Sequence, residues 1–472
     1  MKSHLLLITF ILAVLNLSAA APWDHGPLRV SADGRRLQHA DGTPFFWLGD
    51  TAWLMPQRLN REEIKDYFEN RQAKGFNVIQ CCLVQFFHDK SFNGNPALVA
   101  EDLSKLRITP GSDPTDPAEY DYWDHVDYMV QTAKANGLYL ALTPMWRYAK
   151  KPAPEAAAAF VTQLAARYGK LPNIVWVNGG SARGNETLEF WHAAGTALKQ
   201  HAPGQLITFH PFGRTQSSTW FQDAAWLDFN MFVSGHRRYD QDTQGKAFGE
   251  DNWRYVLEDL AKTPRKPTID GEPSYENTPQ GLHDAKQPYW NAADVRRYAW
   301  WSVFAGAAGH NYGENSVRQV YLPTATKGES GAKGFFKERL EAEGAYQVRH
   351  VKNFILSRPV SGRVNDQSLV AGNEGEKYDR ILVTRGDGWI AAYAYTGRDF
   401  ALKLGTLTAS KFNASWFNPR TGESTSAASA PISDTGAATF NPPGEPAPGN
   451  DWVLVLDDAA KKFPTPGSAP TR

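Results

Sequence analysis

Glu272 stands in the stretch Lys266-Pro-Thr-Ile-Asp-Gly-Glu272-Pro-Ser-Tyr-Glu276, where a short apolar run ends abruptly in carboxylates. The glycine before it lets backbone approach a ligand closely, and the proline after it biases the residue toward an extended conformation. Those neighbours aim the side chain. An isolated Asp-Gly-Glu is ordinarily a solvated acidic loop, so its meaning depends on what the chain places beside it. A carboxylate held in a hollow suits acetal cleavage, which needs one acid to protonate the leaving oxygen. In the retaining form a second carboxylate ~5 Å away acts as nucleophile.

Residues able to join such chemistry recur at the ends of other apolar runs: Asp50, Gln80, Trp146, Asn178 with Ser181, His210, His236, and His310 with Tyr312. Gln80, Asn178 and Asn311 suit hydroxyl recognition, and Trp53, Trp146 and Tyr312 offer faces on which a sugar ring stacks. Singly, a histidine is more often a hydrogen-bonded structural residue and a tryptophan more often packing. Recurrence at every run argues for a shared site. No His-x-x-x-His or His-x-His spacing occurs, so no metal is expected. Gly-x-Ser-x-Gly is missing between any strand and helix, and no phosphate loop or dinucleotide fingerprint stands out, so no cofactor is expected.

The elements that must bring these tips together follow from periodicity. Apolar runs begin at Phe45, Phe76, Leu138, Ile174, Leu206, Leu227, Pro267 and Ala307. Asn60-Arg-Glu-Glu63 is a capping box opening a helix to about residue 74, and helical spacing returns over 123–136, 155–168, 188–200, 253–262 and 293–305. Eight strands alternating with helices predict an α/β fold, a (β/α)8 TIM barrel whose strand tips converge on one face. Residues 28–44, with two Asp-Gly turns, predict a β-hairpin ahead of it, and the long loop 85–121 reads as functional or lid-like. A connecting helix is expected over 334–354. Beyond it, short alternating runs at 380–384, 389–393, 413–417 and 451–456 predict a small all-β sandwich-like C-terminal domain.

At 472 residues the chain exceeds the ~250–300 at which one core stops growing, which agrees with two domains. Residues 1–21, with a basic start, an apolar run and a small-residue end, predict a cleaved signal peptide and a secreted or periplasmic, soluble protein. The expected division is 22–355 for the barrel with its hairpin, 356–460 for the β module and 461–472 for a disordered tail. With 50 basic and 50 acidic side chains there is no net charge, and neither nucleic acid nor membrane is expected as a partner. The 16 Trp, 18 Tyr and 25 Phe instead suit a carbohydrate partner. Cys81 and Cys82 are adjacent, cannot pair without strain, and read as buried strand residues.

Several motifs carry a resemblance: Phe46-Trp-Leu-Gly-Asp-Thr-Ala-Trp53, Lys74-Gly-Phe-Asn-Val-Ile-Gln80, Ile174-Val-Trp-Val-Asn-Gly-Gly180, Asp270-Gly-Glu-Pro-Ser-Tyr-Glu276, Ala308-Gly-His-Asn-Tyr-Gly313 and Trp416-Phe-Asn-Pro-Arg-Thr-Gly422. Nearly all the mature chain resembles the apiosidase-like proteins, glycoside hydrolase family 140 and relatives, with a C-terminal module named for collagen binding. The resemblance implies a retaining glycoside hydrolase acting on side-chain sugars of a plant or microbial polysaccharide, with Glu272 as nucleophile. In that family an acidic residue follows the Gly-Gly pair and serves as acid/base; here Ser181 stands there. Glu186 on the same loop is then the expected proton donor. The other readings are a leaving group that needs little protonation, and a catalytically impaired carbohydrate-binding or adhesion protein on the same scaffold.

Overall fold

In the computed structural model, residues 20–146, 152–242, 247–325, 327–405, 409–429 and 431–468 are described. The expected signal peptide falls on residues 1–19, outside them. Among the described residues no helix is long and apolar enough to cross a membrane.

Eight parallel strands form one sheet: β1 Trp47–Thr51, β2 Val78–Val84, β3 Tyr139–Met145, β4 Ile174–Ala182, β5 Ile207–Pro211, β6 Asn230–Phe232, β7 Thr268–Asp270 and β8 Gly309–Tyr312. They run in the order β5-β4-β3-β2-β1-β8-β7-β6. The ends meet where Asp228 N–H donates to Ile207 C=O (2.9 Å) and Thr208 Oγ1 to Phe229 C=O (2.8 Å). The (β/α)8 barrel is thus present, with strand starts within three residues of those read from the sequence. The helices between are α1 Arg61–Ala73, α2 Tyr122–Ala135, α3 Pro154–Tyr168, α4 Leu188–His201, α5 Asn252–Ala261 and α6 Ala292–Phe304. α1 starts on the Asn60 capping box: Asn60 Oδ1 accepts from Glu63 N–H (2.9 Å) and Glu63 Oε2 accepts from Asn60 N–H (3.1 Å).

Alternate strand residues face the barrel axis or the helix layer. Trp47, Val78, Tyr139, Ala141, Val175, Val177, Met231 and Ile269 fill the interior. Leu28, Leu37 and Phe45 join that cluster from an antiparallel sheet of Leu28–Val30, Leu37–His39 and Pro44–Phe45. The predicted hairpin is therefore three strands packed against the barrel interior. Cys81 and Cys82 are buried in β2 and unpaired.

The C-terminal part is all-β and antiparallel. Its larger sheet includes β9 Ile381–Gly386, β10 Trp389–Ala394, β11 Lys411–Phe417 and β12 Trp452–Asp458. One face (Ile381, Val383, Ile390, Leu454, Leu456) packs on Val370, Phe400, Leu402 and Phe440 of a smaller sheet. The other (Leu382, Trp389, Tyr393, Val453) packs on Trp300, Val303 and Phe304 of α6. Burial on both faces explains why these strands read as nearly continuous apolar runs. Paired ions seal the junction: Arg296 donates to both Asp451 oxygens (2.8 and 2.6 Å), and Arg358 to both of Asp457 (2.9 and 2.6 Å).

One expectation is corrected. The single connecting helix is three short ones, Phe336–Arg339, Glu343–Gln347 and Arg349–Leu356, with the chain extended at Ala342 (ψ 141°). Of the expected tail, residues 461–468 are described, and there Gly467 N–H donates to Ser357 Oγ (3.1 Å) and Ser424 Oγ to Pro466 C=O (3.2 Å).

Candidate active site

β7 ends at Asp270, and the next two residues bring Glu272 to the barrel mouth. Gly271 N–H donates to Phe232 C=O (2.8 Å) and Gly235 N–H to Glu272 C=O (3.1 Å), fixing the backbone to the β6 side. A Cβ at position 271 would collide with Met231, so the close approach requires glycine.

Two imidazoles face the Glu272 carboxylate. His236 Nε2 lies 3.1 Å from Oε1, and His210 Nε2 lies 3.2 Å from Oε2, the second contact off the line of a good hydrogen bond. The other ring nitrogens are occupied: Ser181 N–H donates to His210 Nδ1 (3.2 Å), and Tyr275 N–H to His236 Nδ1 (3.3 Å). Each Nδ1 therefore acts as acceptor, which puts the ring proton on Nε2, aimed at Glu272. Burial pushes the Glu272 pKa up, but the two imidazoles outweigh burial and hold it well below the usual carboxylate range. Glu272, 14 % exposed, is an ionised carboxylate, fitted to attack and unfitted to donate a proton.

The carboxylate opens into a cleft of about 260 Å³. Trp53 and Trp146 form one wall, edge to face at 4.8 Å, and both rings also lie against His210 (5.2 and 5.9 Å). A Cβ on Gly180 would strike the Trp146 ring, so this glycine near the end of β4 makes room for that wall. Ser181 borders the cleft with its backbone in the left-handed region (φ 49°). A larger cavity, about 500 Å³, lies between the barrel and the β module near Tyr239, Trp253 and Lys377, away from Glu272. Cations cover its aromatic faces, with Arg380 4.6 Å from the Trp253 ring and Lys377 5.5 Å from that of Tyr239.

Of the residues singled out from the sequence, Glu272, His210, His236, Trp53, Trp146 and Ser181 come together. Gln80 points inward beneath them, its amide donating to Gly271 C=O (3.2 Å). Four others face the helix layer. Asp50 lies within β1 and accepts from Arg71 Nε (2.5 Å) and Tyr67 OH (2.7 Å). Asn178 donates to Trp191 C=O (2.9 Å) on α4. His310 sits 3.3 Å from Ser302 Oγ on α6, where burial pushes its pKa down to about 3. Tyr312 OH donates to Glu276 Oε2 (2.6 Å). The reason is the strand alternation: inward Trp47 makes Asp50 point outward, inward Val177 does the same for Asn178, and inward Asn311 for His310 and Tyr312. Glu186 is 54 % exposed on a single turn, Gly184–Glu186, near Arg183 (3.9 Å), and is not among the residues bordering the cleft.

Most of the remaining rim carries no mark in the sequence. Gln85 comes from the loop after β2, Leu282 and His283 from the loop after β7, and Arg318, Gln319, Glu329 and Ser330 from the segment after β8. Apart from Arg318, which ends the short helix Asn315–Arg318, these lie on irregular chain with no periodicity to mark them. Leu282 (φ 77°) and Ser330 (φ 48°) share with Ser181 a left-handed backbone uncommon for residues other than glycine, a feature of functional loops that only the fold reveals. Among the described residues no group of three or more His, Cys, Asp or Glu is placed to hold a metal ion.

A family model described as "Apiosidase-like, catalytic domain" matches residues 31–361, and one described as "Putative collagen-binding domain of a collagenase" matches 364–457. A solved structure described as a glycoside hydrolase is 40% identical, with a TM-score of 0.88, covering 95% of this chain and 100% of its own. A crystal structure of a glycoside hydrolase family 5 protein from Bacteroides vulgatus ATCC 8482 is 38% identical, with a TM-score of 0.88, covering 96% of this chain and 98% of its own. No curated protein matches.

Proposed function

The chain belongs to the apiosidase-like family and is a glycoside hydrolase, and from that premise we propose that it is an exported retaining enzyme. Its substrate is a side-chain sugar of a plant or microbial polysaccharide, and its nucleophile is Glu272. The observation that carries this reading is the ionised Glu272 carboxylate between two imidazole N–H groups, at the base of a cleft walled by Trp53 and Trp146.

The sugar ring stacks on the tryptophan wall, which leaves its anomeric carbon over Glu272. Attack by a Glu272 oxygen forms the glycosyl ester as the C–O bond to the leaving group breaks. His210 and His236 hold the carboxylate in line and keep it unprotonated. The leaving oxygen still needs a proton, and losing a general acid costs typically ~10²- to 10⁴-fold. Ser181, at the position where the family carries its acid, cannot supply one.

That serine also supports a second reading, a carbohydrate-binding or adhesion protein on the same scaffold. Digestion of plant cell-wall fractions separates the two. Hydrolysis with release of free sugar by the wild type, abolished in Glu272→Gln, is the expected result. Unchanged turnover in Glu272→Gln removes the residue from the mechanism. Binding of the fractions without release by the wild type favours the second reading.

A further inference from the structure

Two of the residues bordering the cleft carry carboxylates, Glu272 and Glu329. We propose that Glu329, on the segment after β8, is the proton donor to the departing sugar oxygen, which moves the acid from the β4 side of the mouth to the β8 side. This rests on Glu272 being the nucleophile.

Three observations converge on Glu329. Glu272 is held ionised by His210 and His236, so the proton has to come from another group. The residue after the Gly-Gly pair is Ser181, and the remaining acid of that loop, Glu186, does not border the cleft. Glu329 does, and its main chain is fastened on both sides by one buried side chain. Gln319 Oε1 accepts from Glu329 N–H (2.6 Å), and Gln319 Nε2 donates to Glu329 C=O (3.1 Å). The next residue is tied as well: Ser330 C=O accepts from Asn315 Nδ2 (2.9 Å), and Ser330 Oγ accepts from Arg318 Nη2 (3.1 Å). Gln319, Asn315 and Arg318 thus fix the backbone of the loop that carries Glu329 and hold the residue at the rim of the cleft. Arg318 and His283 border the same cleft. His283, exposed like Glu329, is the other side chain bordering the cleft that could pass a proton, and the His283→Gln variant separates the two.

The step balances as follows. As a Glu272 oxygen bonds to the anomeric carbon, the electron pair of the breaking C–O bond stays on the leaving oxygen, which takes the proton of the Glu329 carboxyl group and departs as an alcohol. Water then attacks the glycosyl ester, giving one proton to the Glu329 carboxylate and its oxygen to the sugar, and Glu272 leaves as a carboxylate. An exposed carboxyl group can admit that water.

The test compares Glu329→Gln, His283→Gln and Glu272→Gln with wild type on paired 4-nitrophenyl and 2,4-dinitrophenyl glycosides of a sugar the wild type cleaves, and on cell-wall polysaccharide across pH. A dinitrophenolate departs without protonation. Glu329→Gln should lose ~10²- to 10⁴-fold in kcat/KM on polysaccharide and much less on the dinitrophenyl glycoside. It should also form a glycosyl azide when azide is added. Equal losses on both substrates, wild-type rates on both, or the leaving-group signature appearing in His283→Gln would each overturn the assignment. Glu272→Gln keeps the two claims apart. If it is inactive everywhere while Glu329→Gln shows no split, the donor assignment alone fails; if it is active, the reading beneath it fails.

Discussion

His236 Nε2 lies 3.1 Å from Glu272 Oε1, and the same imidazole takes the Tyr275 N–H on its Nδ1. A residue three positions beyond Glu272 therefore fixes the tautomer that holds Glu272 ionised. Removing that imidazole should raise the Glu272 pKa. A hydrogen bond to a charged group is worth ~1.5–3 kcal/mol, or about one to two pH units. The acid limb of kcat/KM in His236→Ala should move to higher pH by that amount, since activity needs the ionised form and is lost as pH falls through the folded-state value. Because the wild-type pKa is depressed, the stability it contributes is present above the unfolded value of ~4.3 and lost on acidification below it. An acid limb that stays in place in the variant would contradict the electrostatic role of His236.

Asp50 and Arg71 are both fully buried and meet at 2.5 Å. Breaking a buried pair by removing one partner costs ~3–5 kcal/mol. Asp50→Ala should lower the urea midpoint accordingly, with kcat/KM of the folded fraction near wild type. A variant that keeps its stability and loses sugar affinity would restore Asp50 to the site.

Trp146 stands against Trp53 and closes the wall above Ser181. Trp146→Ala should raise KM up to about tenfold, as expected for an aromatic contact worth ~0.5–1.5 kcal/mol, and change kcat less. Steady-state kinetics on the same cell-wall fraction measures this. An unchanged KM would place the sugar elsewhere.

Ser181 donates its backbone N–H to His210, in the left-handed conformation that aspartate also tolerates. If the working acid lies on the β8 side, Ser181→Asp adds a second negative charge near Glu272 and should reduce the rate on cell-wall polysaccharide. A large gain would mean that the native cleft lacks a functional donor.

The β module covers α6 with its larger sheet and answers Arg296 and Arg358 with Asp451 and Asp457. Truncation after residue 361 exposes Trp300 and Phe304 and strands both arginines. The truncated chain should fail to fold or aggregate, and Asp451→Ala alone should cost ~3–5 kcal/mol in urea unfolding. A stable, active barrel without the module would show that it is an appendage.

The eight strands were legible because apolar runs capped by Gly and Pro mark where chain enters and leaves the barrel. Which tip residues meet was less legible, because that depends on the phase of a two-residue repeat. β1 begins at Trp47 rather than Phe45 and runs to Thr51, which puts Asp50 inside the strand, facing α1. The same parity sends Asn178, His310 and Tyr312 outward. Glu272, His210, Trp53 and Trp146 were found because apolar strands lead to them. Gln319 and Glu329 were missed because their placement is set by side-chain to backbone hydrogen bonds across irregular chain, which leave no periodic trace.

The central claim, that Glu272 forms a bond to sugar, is tested most directly by trapping. The enzyme is incubated with 2,4-dinitrophenyl 2-deoxy-2-fluoroglycosides, digested with protease and examined by peptide mass spectrometry. A covalent fluoroglycosyl adduct on the peptide carrying Glu272, absent in Glu272→Gln, is the predicted result. An adduct on a different carboxylate, or turnover of the natural substrate with inversion at the anomeric carbon, would contradict it.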